Sequence, residues 1–408
     1  MADELAVWLN GIRVALIDEA RGRLGLLYTA EAFEHFRLGA PVLSQDLPLA
    51  RQRYSHGSVR PFVDGLLPEG VARQVVAGEL GLRPDDVYGL MRALGRDCAG
   101  ALVIQPAEEP APPAPTTRSA EKLGADDLAA LVANLRSAPL GVGDRVRLSL
   151  AGVQEKLLLT RMPDGEWGRP VDGTPSTHIL KPEIADYPHT VENEAFCMRV
   201  ARHLGLAVAR VETTSAAGRK LIVIERYDRV IHPDGKVDRL HQEDFCQSVG
   251  VLPEKKYQDD GGPSLKKIAE MLQFVATPGS AENLLAAVTL NVLLGNGDAH
   301  GKNFSLLHGP AGALELAPLY DLMCTLFYGD DRLAMHVDDV RRTNRVTADR
   351  IVNEAVSWGL PRRRAGEIVA DIVNRTPAAV AEAREDTEGL PDGIPDSVLS
   401  QHTLLSSG

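Results

Sequence analysis

Leu294-Gly-Asn-Gly-Asp298-Ala-His300-Gly-Lys302-Asn303-Phe-Ser-Leu-Leu307 is the stretch on which the reading of the fold turns. An apolar segment with helical spacing, residues 284–294, runs into this turn-rich loop. The chain leaves it through residues 304–307, which read as a strand. After the turn Gly309-Pro-Ala-Gly312 a second strand-like run, Ala313-Leu-Glu-Leu-Ala317, leads to Pro318-Leu-Tyr-Asp321. The pattern predicts a helix, a rigid loop and a hairpin that returns Asp321 towards the loop.

Asp298 and Asn303 are five residues apart. Phosphotransferases of the protein-kinase type use an Asp, four residues and an Asn in this way. The Asp takes the proton of the attacking hydroxyl, and the Asn helps hold Mg2+ on the phosphates. Asp321 falls where such an enzyme carries its metal-binding Asp. Two plainer readings compete. Asn296-Gly297-Asp298 is good turn chemistry, so Asp298 can serve only as a loop cap, or Asp298, His300 and Asp321 can ligate a hydrolytic metal. The choice rests on the rest of the chain.

The chain has 408 residues, 44% hydrophobic and 25% charged, and suggests two or three soluble domains. No apolar run reaches the roughly 18 residues of a membrane span, and the acidic N-terminus lacks a signal-peptide pattern. The 4 cysteines are widely spaced without a Cys-x-x-Cys pair, as expected of reduced thiols in the cytoplasm. A formal charge of −12, spread along the chain, disfavours tight nucleic-acid binding by the whole surface.

Upstream, residues 5–17 read as a β-hairpin turning at Asn10-Gly11, with a further strand at residues 24–28. Helices are expected through Leu80 and from Asp85-Asp86 to Leu94-Gly95, and a strand at 99–104 closes a first α+β domain, residues 1–105. The Pro-rich run beginning at Pro106 marks a linker, residues 106–122. A small lobe, 123–228, follows. Its small-residue loop, Ser149-Leu-Ala-Gly-Val-Gln-Glu-Lys156, can fold N–H groups over phosphates. The strand His178-Ile-Leu-Lys181-Pro182 presents a Lys, the amphipathic helix 191–204 offers Glu194 as its partner, and Leu221-Ile-Val-Ile-Glu225-Arg-Tyr227 leaves as a hinge. Loop, Lys strand, helix, hinge, Asp298 loop and Asp321 occur in the order a kinase uses. A helical large lobe spans 229–385, and residues 386–408, rich in Gly, Pro, Asp and Ser, are expected to be a flexible tail. The fold class expected is α+β, an N-terminal α+β domain joined to a two-lobed protein-kinase-like fold.

The chain resembles the HipA family of toxin kinases from type II toxin–antitoxin modules over nearly its whole length. Phe62-Val-Asp-Gly-Leu-Leu-Pro-Glu-Gly70 and Leu94-Gly-Arg-Asp-Cys-Ala-Gly-Ala101 carry the likeness in the first domain. Ser149–Lys156, Arg239-Leu-His-Gln-Glu-Asp244, Gly297-Asp-Ala-His-Gly-Lys-Asn-Phe-Ser305 and Ala317-Pro-Leu-Tyr-Asp321 carry it in the second. The resemblance implies an ATP- and Mg2+-dependent Ser/Thr protein kinase whose substrates, where known, are aminoacyl-tRNA synthetases. It also implies a HipB-like helix-turn-helix antitoxin that supplies most contacts to operator DNA. By the same route Asp298 corresponds to the general base, and Asn303 and Asp321 to the metal ligands. Gly152, Val153, Gln154, Glu155, Lys156, Leu157, Lys181, Glu225, Arg226, Tyr227, His300, Lys302 and Tyr320 fall at nucleotide-binding positions. Ser149 falls on the serine that the family autophosphorylates. One departure is His336-Val-Asp-Asp-Val340, where the family continues with a Gly-rich segment. A catalytically silent co-repressor and a small-molecule kinase of the same fold are the alternatives.

Overall fold

A computed structural model describes residues 4–140, 148–152, 154–309 and 312–407. Its contacts divide the chain into two units, Met1–Pro182 with Ser215–Glu254, and Glu183–Thr214 with Lys255–Gly408.

The first unit begins with the predicted hairpin. Asn10 (φ 49°) and Gly11 (φ 84°) both adopt the left-handed conformation that a two-residue turn requires, and join the strands Glu4–Leu9 and Ile12–Ala20. The sheet runs Arg23–Tyr28, Ile12–Ala20, Glu4–Leu9, Leu102–Pro106, with every pair antiparallel. Its apolar residues pack with those of the helices His56–Gly65, Gly70–Glu79 and Val87–Leu94. The first of these helices, with Pro61 inside it, was not foreseen from sequence. Asp86 caps the last by accepting from Gly89 N at 2.8 Å. The same core continues through Leu140, Leu148, Leu158 and Val171. No helix or strand lies between Pro106 and Thr117 among the described residues, as the proline content predicts. Beyond it, strands Glu121–Lys122, Trp167–Arg169, Leu157–Arg161, His178–Pro182 and Arg219–Glu225 lie side by side in that order. The helix Ala125–Ala133 brings Val132 to Leu157, Leu159, Leu180 and Leu221.

A buried ion network ties these parts of the first unit together. Asp97, fully buried, receives Arg229 at 2.9 Å, Arg239 at 3.3 Å and Arg226 at 3.4 Å, together with the Ser176 hydroxyl at 2.6 Å. Asp228 accepts Arg226 at 2.7 Å and the Gly100 N–H at 2.7 Å. Burial alone would raise both carboxyls, and the guanidinium charges overcome it, so both stay below the usual carboxylate range. Desolvation pushes the Arg239 guanidinium down to about 10 despite Asp97.

The second unit is mainly helical. Ser280–Leu294 is buried on nearly every side, and Leu265–Val275, Arg362–Glu385 and Gly393–Ser406 pack against it. Ser264 and Thr347 cap the helices Leu265–Val275 and Ala348–Ser357. The expectation of a flexible tail at 386–408 is corrected here. Gly393–Ser406 is a helix with Ile394, Val398 and Leu405 buried. Gly389, Pro391, Gly393 and Pro395 lie at or before its first turns, where they delay the helix without breaking it. Among the described residues no helix is long and apolar enough to cross a membrane.

Asp97→Asn should destabilise the chain by about 3–5 kcal/mol, because three guanidiniums would then face a single buried carboxylate. A urea-unfolding midpoint unchanged from wild type would contradict this. The network's contribution is intact above about pH 4, where both carboxyls are ionised even in the unfolded chain, and fades as acid protonates them below it.

Candidate active site

Within the second unit, the helix Ser280–Leu294 stops at Gly295, whose left-handed conformation (φ 65°) ends it. A Cβ on Gly295 would lie 2.8 Å from that of Leu326, and one on Gly297 would lie 2.3 Å from the Arg332 carbonyl oxygen. Gly297 can come this close because it has no side chain. Its N–H donates to Thr325 Oγ1 at 2.7 Å, and its carbonyl accepts from Ala334 N at 2.8 Å. Asn296 Nδ2 donates to Asn291 Oδ1 at 2.7 Å, and Asn296 Oδ1 accepts from Asp298 N at 3.2 Å. Two asparagines therefore brace the backbone from which Asp298 projects.

Asn303 Nδ2 donates to the Asp298 carbonyl at 3.0 Å, and His300 N donates to the same oxygen at 2.8 Å. The hairpin forms as predicted, from Ser305–His308 and Leu314–Leu316. Tyr320 Oη lies 2.8 Å from the Lys302 carbonyl and 2.6 Å from Ser305 Oγ, which draws the far arm back onto the loop. Asp321 follows in the left-handed region at φ 57°, a conformation uncommon for residues with a side chain and concentrated at functional sites. Asp298, His300, Lys302, Asn303, Tyr320 and Asp321 are thus gathered by one loop and one hairpin.

Crowding raises the Asp298 carboxyl above its usual range even though the residue keeps access to solvent. The Tyr257 hydroxyl, donating at 2.7 Å, opposes the rise, and the Asp321 charge adds to it. Burial, with Lys256 nearby, pushes the His300 imidazole down to about 3, so it is neutral at physiological pH. His300 is only 5% exposed, and its buried Nδ1 has no hydrogen-bond partner.

In the first unit, Lys181 is opposite Ile222 and Glu225 opposite His178 on paired strands, so the predicted Lys strand and hinge strand are neighbours. Lys181 is buried. Gly152, at φ 113°, donates its N–H to Glu69 Oε1 at 3.2 Å, and Gln154 Nε2 donates to the Pro182 carbonyl at 3.2 Å. Lys156 Nζ donates to the Ala151 carbonyl. Other predicted side chains are committed elsewhere. Glu155 pairs with Arg219 at 3.0 Å and Arg136 at 3.2 Å, Leu157 is in the core, and Arg226 belongs to the Asp97 network. Tyr227 Oη donates to Gln242. Any contact that Leu157 or Arg226 makes to a nucleotide therefore runs through the main chain. Ser149 is fully buried, its Oγ donating to the Leu66 carbonyl at 2.7 Å. Val153 lies outside the described residues. In the second unit, Glu194 is buried on the helix Thr190–His203.

The family profile for the HipA N-terminal domain matches residues 5–105, and that for the HipA-like C-terminal domain matches residues 148–380. The chain belongs to the HipA family. Over 398 residues it is 42% identical to the protein Y4mE of Sinorhizobium fredii, covering 95% of this chain and 93% of that one. Over 394 residues it is 33% identical to the serine/threonine-protein kinase toxin HipA of Shewanella oneidensis, covering 91% and 88%. The solved complex of Shewanella oneidensis HipA with HipB and its operator DNA superposes with a TM-score of 0.83 at 29% identity, covering 99% of this chain and 96% of that one. Membership of the HipA family makes the chain a serine/threonine protein kinase with the α+β, kinase-like fold expected from its sequence.

The donor set suits a magnesium nucleotide. The Asp321 carboxylate and the Asn303 carboxamide offer hard oxygen donors of the kind Mg2+ takes. The neutral, orphaned His300 Nδ1 adds a buried polar atom in want of a partner. Sequence reading missed Tyr257, Asn291 and Thr325. Asn291 lies one helical turn before the loop, a spacing that could have flagged it. Tyr257 and Thr325 are remote in sequence and carried no signal.

Gly297→Ala should reduce phosphoryl transfer at least tenfold, since a Cβ there collides with fixed backbone and displaces Asp298. Wild-type turnover in that variant, measured with labelled ATP, would show that the loop tolerates the shift.

Proposed function

We propose that the chain transfers the γ-phosphate of ATP to a serine or threonine hydroxyl of a protein, as the toxin of a HipBA-like toxin–antitoxin module. The observation that carries this reading is the convergence of Asp298, Asn303 and the left-handed Asp321 beside His300. Asp298 takes the proton of the acceptor hydroxyl while its oxygen bonds to the γ-phosphorus. The bond from that phosphorus to the bridging oxygen breaks, and ADP leaves. Asn303 and Asp321 would hold Mg2+, which supplies neutralising charge on the phosphates. Lys181, the backbone of residues 152–157 and the hinge at Glu225, Arg226 and Tyr227 are assigned to the nucleotide. His300, Lys302 and Tyr320 join them, with Glu194 as the partner assigned to Lys181.

The relative from Shewanella oneidensis is a kinase toxin crystallised with HipB and operator DNA. By extension we assign this chain a HipB-like antitoxin and, given its net charge of −12, contact with DNA chiefly through that partner. The substrate we assign is an aminoacyl-tRNA synthetase, whose phosphorylation would arrest growth. The cytoplasm is the compartment proposed, in keeping with 4 cysteines that are all free and buried. Ser149 is assigned as an inactivating autophosphorylation site. Because its hydroxyl is buried on Leu66, the loop must leave that position for Ser149 to accept a phosphate.

Incubation with γ-labelled ATP and a cell lysate should give a labelled protein band. Label on a metabolite, or none, would replace this reading with a small-molecule kinase or a silent co-repressor. Asp298→Asn should lower phosphoryl transfer by a factor of about 100 or more while leaving ATP binding nearly intact, because it keeps the shape and removes only the proton acceptor. Phosphate on Ser149, read by mass spectrometry, should vanish in the same variant. Asp321→Ala should abolish Mg2+-dependent ATP binding by calorimetry; unchanged binding would mean the metal ligands are assigned wrongly.

A further inference from the structure

Tyr257 lies 41 residues before Asp298 in sequence, yet its hydroxyl donates to Asp298 Oδ1 at 2.7 Å. Its ring meets that of His300 edge to face, with centroids 5.3 Å apart. The short segment carrying it is fastened on two sides. On one, the Lys256 carbonyl accepts from Gly301 N of the catalytic loop at 3.3 Å. On the other, Gln258 Oε1 accepts from His336 N at 2.8 Å, and Asp259 pairs with His336 Nε2 and Arg341, each at 3.2 Å. His336 opens the stretch His336-Val-Asp-Asp-Val340, and Arg341 follows it. This stretch supplies the far anchor for the segment that holds Tyr257.

A phenol held this firmly against a carboxylate selects one rotamer of that carboxylate. A hydrogen bond to an ionised group is among the stronger ones and is directional. With Oδ1 engaged by Tyr257, Oδ2 is the oxygen left to receive a proton. We propose that Tyr257 is a positioning residue for the catalytic base, fixing Oδ1 of Asp298 so that Oδ2 faces the serine or threonine hydroxyl to be phosphorylated. The inference rests on the assignment of Asp298 as base. Tyr257 itself exchanges no proton or phosphate; it narrows the orientations the base can take, and misorientation of a reacting group costs rate steeply.

Tyr257→Phe tests this, because it keeps the ring against His300 and deletes only the hydroxyl. The full-length chain, its Asp298→Asn variant and Tyr257→Phe are incubated with Mg2+ and γ-labelled ATP, and the rate of self-labelling is followed. Calorimetry with Mg2+-ATP and a melting curve accompany each. The expected result is a roughly ten- to hundredfold lower labelling rate in Tyr257→Phe, with ATP affinity and melting temperature as in wild type. A parallel loss of ATP affinity and melting temperature would reveal a merely structural tyrosine and overturn the inference. So would a labelling rate equal to wild type while Asp298→Asn is inactive. A faster rate would mean that Tyr257 shields the base, and overturns it too. If Asp298→Asn labels as well as wild type, or the wild type does not label, the assignment of the base fails first and the inference falls with it.

Discussion

The backbone of residues 295–298 has almost no room, and the site depends on how that is solved. Gly297 runs so close to the Arg332 carbonyl that any side chain would collide with it, while its own N–H and carbonyl are satisfied by Thr325 and Ala334. A buried loop cannot leave such groups unpaired without a penalty comparable to a lost hydrogen bond each. The asparagines at 291 and 296 finish the pairing from the helix side. Asp298 can be placed accurately because nothing behind it is free to move. His300, Asn303 and Asp321 inherit their positions from that loop.

A second constraint operates in the first unit. Asp97, from the segment Leu94-Gly-Arg-Asp-Cys-Ala-Gly-Ala101, is buried among three arginines from the end of the hinge strand and beyond. Taking such charges out of water is unfavourable, and their mutual attraction offsets it only where the geometry is good and the remaining hydrogen bonds are made. Ser176, Gly100 and the Cys98 carbonyl make them. The consequence is that the segment around Asp97 is part of the framework supporting the backbone just after the strand Arg219–Glu225. The engagement of Arg226 follows from this. Its place in the sequence suggests a nucleotide contact, but its guanidinium is spent on two aspartates.

The electrostatics of the loop that carries Asp298 and His300 follow from burial. Desolvation and the Asp321 charge raise the Asp298 carboxyl, and the Tyr257 hydroxyl opposes the rise. His300, kept neutral by burial beside Lys256, brings a polar edge without a competing charge.

Much of this was legible in the chain itself. Turn residues such as Asn10-Gly11, caps such as Asp86, Ser264 and Thr347, and the spacing of Asp298, Asn303 and Asp321 announce local geometry, because their physics acts over a few residues. The C-terminal segment misled for the same reason: its Gly and Pro content describes where a helix cannot start, and says nothing of the neighbours that bury Ile394 and Val398. Composition likewise could not show that Glu155 and Arg226 are held by ion pairs, that Ser149 is buried on Leu66, or that Tyr257 reaches Asp298. By itself the sequence determined most of the local elements and which residues are candidates for the chemistry, since hydrophobic period, turn chemistry and motif spacing are properties of short stretches. Only the tertiary structure decided which polar side chains are spent on holding the protein together, because burial and pairing depend on residues that the chain brings together from tens or hundreds of positions away.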